Sequence, residues 1–307
     1  MLHAKDLLGL QNTSKEEIEE IVSLALDMRK KLNSGVKKLP DLREKSVVTL
    51  FYENSTRTRV SFEFAAKFLS AAVVNISAAA SSVAKGESLI DTGKTLDAMG
   101  TDVIVIRHSM GGAPELLAKN VKAAVINAGD GVNEHPTQAL LDMTTMKEHF
   151  GSLKGLRVAI LGDIKHSRVA KSNIFGLNKM GASVTVYGPS TLIPQGVEQL
   201  VCTLAKSRED AIRGADVVMG LRIQLERQKG GLFPSLSEYH KFYGVDKDHL
   251  ALANSGAIVM HPGPVNRGVE LSGDVIDAEN SYIEDQVLSG VAVRMALLKL
   301  LCENRRK

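Results

Sequence analysis

The chain has 307 residues, 44% of them hydrophobic, with 38 Lys and Arg against 35 Asp and Glu and a formal net charge of +3. That near-balance lacks the basic stripe of a nucleic-acid binder and the charge excess of a disordered segment, and the length fits about two domains with their own cores. Two cysteines without CxxC spacing, Cys202 and Cys302, argue against a disulfide framework or a thiolate zinc site and fit a reducing, cytoplasmic setting.

In chain order, Val/Ile-rich runs cover 46–52, 71–76, 102–107, 123–128, 157–162, 183–188, 215–220 and 257–261, with helical patterns at 56–69, 87–99, 113–119, 136–149, 168–179 and 287–304. Runs that are apolar at nearly every position predict strands buried on both faces, as in parallel sheets. Their alternation with helices predicts α/β architecture. Four runs precede Gly151 and four follow it. The prediction is therefore two doubly wound parallel-sheet domains, 1–149 and 150–289, with a C-terminal helix, 290–307, returning to the first. The small-residue segment 77–88 (SAAASSVAKGES) is long for a strand-to-helix loop, and such loops are often functional. The opening residues carry no signal-peptide pattern, and no 18-residue apolar run occurs, so neither export nor a membrane span is expected.

Ligands of open α/β sheets bind beyond the carboxyl ends of the strands, so each strand exit is informative. The first exit enters a helix through Ser55, Thr56, Arg57, Thr58 and Arg59. Helix-start N–H groups, hydroxyls and a guanidinium fork make an anion site, although a Ser/Thr cap followed by solvated arginines would read the same way over a shorter stretch. The third run ends on Arg107 and His108. The fourth leads to His135, Pro136 and Gln138, where Pro136 suits the first helical turn and Gln138 falls on the same side as His135. In the second half the exits carry Asp163, Lys165, His166 and Arg168, then Arg222, Gln224 and Glu226, then His261, Pro262, Gly263 and Pro264. Any one of these is ordinary surface; their recurrence at one edge of both sheets is the signal. GDIKHSR has one glycine where a dinucleotide fingerprint needs three, and GKT at 93–95 fails the Walker spacing. No histidine pair has metal-ligand spacing.

The segments STRTR (55–59), RH (107–108), HPTQ (135–138), GDIKHSR (162–168), RIQLE (222–226) and HPGP (261–264) resemble the catalytic chains of the aspartate carbamoyltransferase family, in family order and over nearly the whole chain. STRTR and HPxQ are shared with the ornithine carbamoyltransferases. Those enzymes typically have HPCQ and HCLP where this chain has HPTQ and HPGP, and neither Cys202 nor Cys302 lies near those positions.

The resemblance implies that the first domain binds carbamoyl phosphate and the second L-aspartate, in a homotrimer with active sites shared between subunits. Ser81 and Lys85 would come from the neighbouring chain's 77–88 loop, with Ser82 as the alternative to Ser81. It assigns the phosphate to Ser55, Thr56, Arg57, Thr58 and Arg107 with those two donated residues. The carbamoyl group falls to His135, Gln138 and the backbone of Pro262, Gly263 and Pro264. Aspartate falls to Lys85, Arg168, Arg222 and Gln224. The amine would attack the carbamoyl carbon, with the oxyanion stabilised by His135, Arg107 and Thr58. The departing phosphate could take the proton, so no metal or organic cofactor is expected. The products would be N-carbamoyl-L-aspartate and phosphate, an early committed step of pyrimidine synthesis. Two departures from some family members, His166 for a tyrosine and Leu225 for a lysine, leave cooperativity open. The sequence also leaves open a regulatory chain or an association with dihydroorotase. Rival readings are a carbamoyltransferase for ornithine or another amine, and a non-catalytic relative.

Overall fold

The computed structural model describes residues 4–77, 86–223 and 235–304. It divides into two compact units, Met1–Thr144 with Leu288–Lys307, and Thr145–Val287, so the division expected after residue 149 is drawn after Thr144.

The first unit opens with α1 (Lys15–Asn33). Ser14 and Glu17 close a capping box, each side chain accepting the other's backbone N–H, which satisfies two otherwise orphaned donors. Ile18, Ile21, Val22, Ala25 and Met28 form its buried stripe at helical spacing. Then follow β1 (Ser46–Phe51), α2 (Thr56–Phe68), β2 (Ala72–Ser77), α3 (Leu89–Ala98), β3 (Val103–His108), α4 (Ala113–Ala118), β4 (Ala124–Asp130) and α5 (Pro136–Phe150), the last continuing past Thr144. The parallel sheet has the order β2-β1-β3-β4. Val48, Leu50, Leu96, Ile104, Ile106, Leu117 and Val125 form one core cluster on it. The N-terminal segment runs beside β4, with the Leu7 N–H donating to Val125 O and the Asn127 N–H to Leu7 O, both at 2.9 Å. That edge is thereby covered.

The second unit contains β5 (Arg157–Leu161), α6 (Arg168–Lys179), β6 (Ser183–Tyr187), β7 (Thr203–Leu204), α7 (Arg208–Ile212), β8 (Val217–Gly220), α8 (Leu236–Tyr243), α9 (Lys247–Leu250), β9 (Ile258–Met260) and α10 (Gly273–Ile276). All neighbours are parallel, in the order β7-β6-β5-β8-β9. Its core includes Ala159, Leu161, Ile212, Val218, Val245, Val259 and Leu271. The closing helix α11 (Ile283–Asn304) belongs to the first unit from Leu288 onward. There Arg29 donates to Ser289, and Lys299 meets Asp41 at 2.5 Å.

Two expectations need correction. The run at 71–76 was expected to be buried on both faces, but β2 is the outer strand and largely exposed, with Val74 56% accessible. Apolar composition does not distinguish an edge from a centre. The second sheet also has a fifth strand, β7, whose two residues are too few to show a period.

The strand order defines where side chains can meet. In the first sheet the chain leaves β1 toward β2 on one side, while β3 and β4 lie on the other. In the second, β6 and β7 lie on one side of β5, and β8 and β9 on the other. Each sheet therefore has a switch point, β1/β3 and β5/β8, where diverging connections leave a crevice at the carboxyl ends.

Candidate active site

At the first switch point, Ser55 stands at the N-cap of α2 in extended conformation, and its side chain makes no capping bond. Its Oγ instead accepts from Arg107 Nη1 at 3.2 Å. Arg107 Nε donates to Glu53 Oε2, also at 3.2 Å. The register makes this meeting inevitable, since Arg107 pairs with Phe51, the last residue of β1. Thr56 and Arg57 are exposed and Thr58 is buried in the first turn of α2. Hydroxyls, helix-start N–H groups and the dipole end thus converge beside a guanidinium whose direction is fixed, an arrangement suited to a phosphate.

Arg59 and His108 do something else. Arg59 lies near Glu63 one turn along α2 and helps, after Lys67 and Asn75, to hold that carboxyl below its usual range. The His108 ring sits 4.6 Å from that of Tyr52, and its Nδ1 accepts from the Met110 N–H at 3.0 Å. Burial pushes its pKa down, so it remains a neutral packing group.

The β4 exit is built from buried polar residues. Asn127 Nδ2 donates to Asp130 Oδ1 at 2.8 Å, and that carboxylate also accepts the N–H groups of Gly112 at 2.8 Å and Glu134 at 3.1 Å. Glu134, 4% exposed, accepts the N–H groups of Leu10 at 2.7 Å and Gln11 at 3.1 Å. Gly9 is required here, because a Cβ would lie 2.3 Å from Glu134 Oε1. The turn so fixed delivers His135, buried, at the start of α5, where its carbonyl accepts from the Gln138 N–H at 3.0 Å. His135 Nδ1 lies 3.4 Å from Thr137 Oγ1, and Gln138 Nε2 donates to Asp142 Oδ1 at 3.0 Å. Both follow β4, next to β3, so they share the carboxyl edge with Arg107.

At the second switch point, Gly162 leaves β5 with φ 127°, and a Cβ on Gly188 would lie 2.1 Å from Gly162 O. That contact explains Gly188, while the single glycine of GDIKHSR, Gly162, serves its own positive φ and a close approach to the β8 exit, where a Cβ would lie 3.1 Å from Leu221 O. Asp163 turns back to accept the His166 N–H at 3.0 Å, with the His166 ring 3.1 Å away. Ser167 caps α6 through the Ala170 N–H. The next residue, Arg168, is buried in the first turn. Arg222, half-buried, follows β8 by two residues. Glu270 braces that exit by accepting the N–H groups of Ile223 at 2.8 Å and Asn266 at 2.9 Å. Burial pushes the Glu270 carboxyl up despite these bonds.

After β9, buried His261 uses Nδ1 to accept the Gly263 N–H at 2.9 Å, while its own N–H donates to Gln286 Oε1 at 2.9 Å. Gly263 has φ 65° and precedes a cis bond to Pro264. The predicted residues Ser81, Ser82, Lys85, Gln224, Leu225 and Glu226 lie outside the described residues. Among the described residues, no group of three His, Cys, Asp or Glu is placed to hold a metal, and no helix is long and apolar enough to cross a membrane.

Glu53, Asn127, Asp130, Glu134, Asp142 and Glu270 escaped the sequence reading. They were searchable only as partners, such as Asp142 one turn beyond Gln138, because a carboxylate serving a neighbour carries no pattern of its own.

Comparison with known proteins fits this geometry. Residues 5–148 match the family model described as "Aspartate/ornithine carbamoyltransferase, carbamoyl-P binding domain". Residues 154–301 match "Aspartate/ornithine carbamoyltransferase, Asp/Orn binding domain". The chain is 64% identical to the aspartate carbamoyltransferase catalytic subunit of Acetivibrio thermocellus over 301 residues, covering 98% of this chain and 96% of that one. It is 63% identical to its namesake from Ruminiclostridium cellulolyticum over 300 residues, again 98% and 96% of the two chains. Among solved structures it resembles aspartate transcarbamoylase from Trypanosoma cruzi in complex with carbamoyl aspartate and phosphate (TM-score 0.86, 33% identity, 97% and 96% of the chains covered). It also resembles ornithine carbamoyltransferase from Pyrococcus furiosus (TM-score 0.84, 31% identity, 95% of each chain). With matches to both domains of one family along nearly its whole length, the chain belongs to the aspartate/ornithine carbamoyltransferases.

Proposed function

We propose that the chain is a catalytic carbamoyltransferase that moves the carbamoyl group of carbamoyl phosphate to the amine of L-aspartate, giving N-carbamoyl-L-aspartate and phosphate. The observation that carries the reading is the placement of arginines at both switch points, Arg107 with the Ser55–Thr58 turn in one sheet and Arg168 with Arg222 in the other. One substrate brings a phosphate dianion and the other two carboxylates, and each has its own cationic edge. The relatives above 60% identity support aspartate as the acceptor.

In this reading the phosphate is held by Ser55, Thr56, Arg57, Thr58 and Arg107, joined by Ser81 and Lys85 of a neighbouring chain. Arg168 takes the α-carboxylate of aspartate, Arg222 and Gln224 the β-carboxylate, and Lys85 bridges both ligands. Each charged hydrogen bond contributes about 1.5–3 kcal/mol. His135, Arg107 and Thr58 stabilise the oxyanion, the kind of preorganised donor set that is often the largest catalytic term. Gln138 and the backbone around Gly263 and Pro264 hold the carbamoyl NH2. The departing phosphate accepts the amine proton, so the protein's task is orientation, which can supply up to about 7–11 kcal/mol. The chain works as a cytoplasmic homotrimer in pyrimidine synthesis. Exposed Phe64 and Val74 on the β2 side of the first unit, where the 77–88 segment departs, support such an assembly. The test is product analysis with carbamoyl phosphate and each candidate amine. Carbamoylaspartate is the expected product. Citrulline from ornithine, with nothing from millimolar aspartate, would overturn the assignment.

A further inference from the structure

Gln138 poses a problem that its position alone does not solve. A primary amide has nearly the same shape in either orientation, so only its hydrogen-bond partner decides which end faces which way. To receive the NH2 of a carbamoyl group, Gln138 must present oxygen; presenting its own NH2 would set two donors against each other. Gln138 Nε2 donates to Asp142 Oδ1 at 3.0 Å, one turn further along α5. Asp142 is fully buried, and a carboxylate only accepts. The nitrogen is thereby drawn to Asp142, and the amide oxygen is the end left for a ligand.

A buried carboxylate keeps this character only beside a counter-charge. Arg294 of α11 supplies one. Arg294 is buried, 3% exposed, and the charge of Asp142 favours its protonated form. Burial lowers its pKa to about 10, which leaves it charged at neutral pH. It is clamped from three directions. Nη1 donates to Ser61 Oγ at 2.9 Å. The guanidinium carbon stands 5.1 Å from the centre of the Phe62 ring. Gly290 leaves room below it, since a Cβ there would lie 2.5 Å from Nη1. Ser61 and Phe62 belong to α2, the helix whose first turn carries Ser55–Thr58.

We propose that Asp142 and Arg294 are positioning residues that fix the Gln138 amide with its oxygen toward the substrate, and so make the site selective for a carbamoyl over an acyl phosphate. The proposal rests on the carbamoyl-phosphate reading above and deepens it. It gives the returning C-terminal helix a part in substrate choice, exercised through two side chains that touch no ligand.

The test uses two stable phosphonates that differ only at the group in question, phosphonoacetamide with an NH2 and acetonylphosphonate with a methyl. Binding is measured by calorimetry on the intact protein. The wild type should favour the amide. Asp142→Asn, which can donate as well as accept, should weaken the amide ligand roughly tenfold, the order of one hydrogen bond, and leave the ketone unchanged. Arg294→Met, with Asp142 still present, should cause the same selective loss. That variant carries the test if Asp142→Asn does not fold. In a Gln138→Met background neither change should alter the ratio further. Parallel weakening of both ligands would show a merely structural role, and unchanged binding of both would show none; either overturns the proposal. Neither ligand involves an acceptor amine, so a protein that selects the amide yet makes no carbamoylaspartate would sink only the aspartate assignment.

Discussion

Arg107 is gripped at Nε by Glu53 and at Nη1 by Ser55 Oγ, which fixes the plane of its guanidinium. Lysine could restore the charge but not the planar geometry. Arg107→Lys should therefore lower kcat/KM for carbamoyl phosphate by roughly 100-fold or more, the scale of one lost oxyanion donor, with little change in the urea midpoint. Glu53→Gln should cost less, roughly tenfold, since it loosens the arginine without removing it. Equal losses in the two variants would refute the division of labour. Arg168 and Arg222 should separate from this pair. Arg168→Ala should raise KM for aspartate while leaving the binding of phosphonoacetamide intact. What was legible at this scale were the residues whose chemistry suits an anionic ligand. STRTR and HPTQ combine charge, hydroxyl and amide at a strand exit, which packing does not require. What was not legible were Glu53, Asp130 and Asp142, whose partners lie on other elements or one helical turn away. Only the fold turns an ordinary acid into a brace.

The turn from β4 into α5 shows how an element can be stiffened by polar rather than apolar contacts. Asn127, Asp130 and Glu134 are all buried, and between them they accept from Gly112, Leu10 and Gln11. Glu134→Gln keeps one acceptor and sets an NH2 against a backbone N–H. It should destabilise the first unit by about 1–3 kcal/mol in urea titration and lower kcat through a less settled His135. Asp102 makes a comparable pin at the start of the same sheet, with Oδ2 accepting the Ser46 N–H and Oδ1 meeting Lys45 Nζ, each at 2.9 Å. Burial pushes its carboxyl up, but these bonds outweigh it and hold the pKa below 3.8. A depressed carboxylate contributes stability above its unfolded pKa and loses it as pH falls through the folded one. Asp102→Asn should therefore be less stable than wild type at neutral pH, and the gap should close below pH 3.8; a gap constant with pH would refute the pin. Among the described strands, β1, β3, β4, β5, β8 and β9 were readable because their interiors are aliphatic and buried on both faces, whereas β6 alternates between buried and partly exposed positions. β2 was placed correctly but assigned the wrong surroundings, since Ala72–Ser77 is as apolar as a central strand while lying at the edge. β7 has two residues, and no periodicity exists at that length.

At the scale of the whole molecule, the charge balance that excluded nucleic acid conceals a strongly uneven distribution. A net charge of +3 over 307 residues describes the average surface, whereas Arg57, Arg107, Arg168 and Arg222 all follow or end strands at the two switch points. The charge that our proposal requires for two anionic substrates is local, and the remaining acids and bases offset one another. A fifth cation, Lys85, belongs by our proposal to the neighbouring chain's site, and this makes the assembly testable without any structure of it. In a cyclic trimer every site would combine the Arg57 of one chain with the Lys85 of the next. Arg57→Ala and Lys85→Ala homotrimers should each be inactive. A hybrid ring with two chains of one kind and one of the other must contain one interface where an intact Lys85 meets an intact Arg57. Random reassembly of equal amounts should then restore about a quarter of the wild-type rate, from three-quarters hybrids with one competent site in three. Native mass spectrometry would verify that subunits had exchanged. Exchange without recovered activity would place Lys85 in the site of its own chain, and the 77–88 segment would lose its proposed role across the interface.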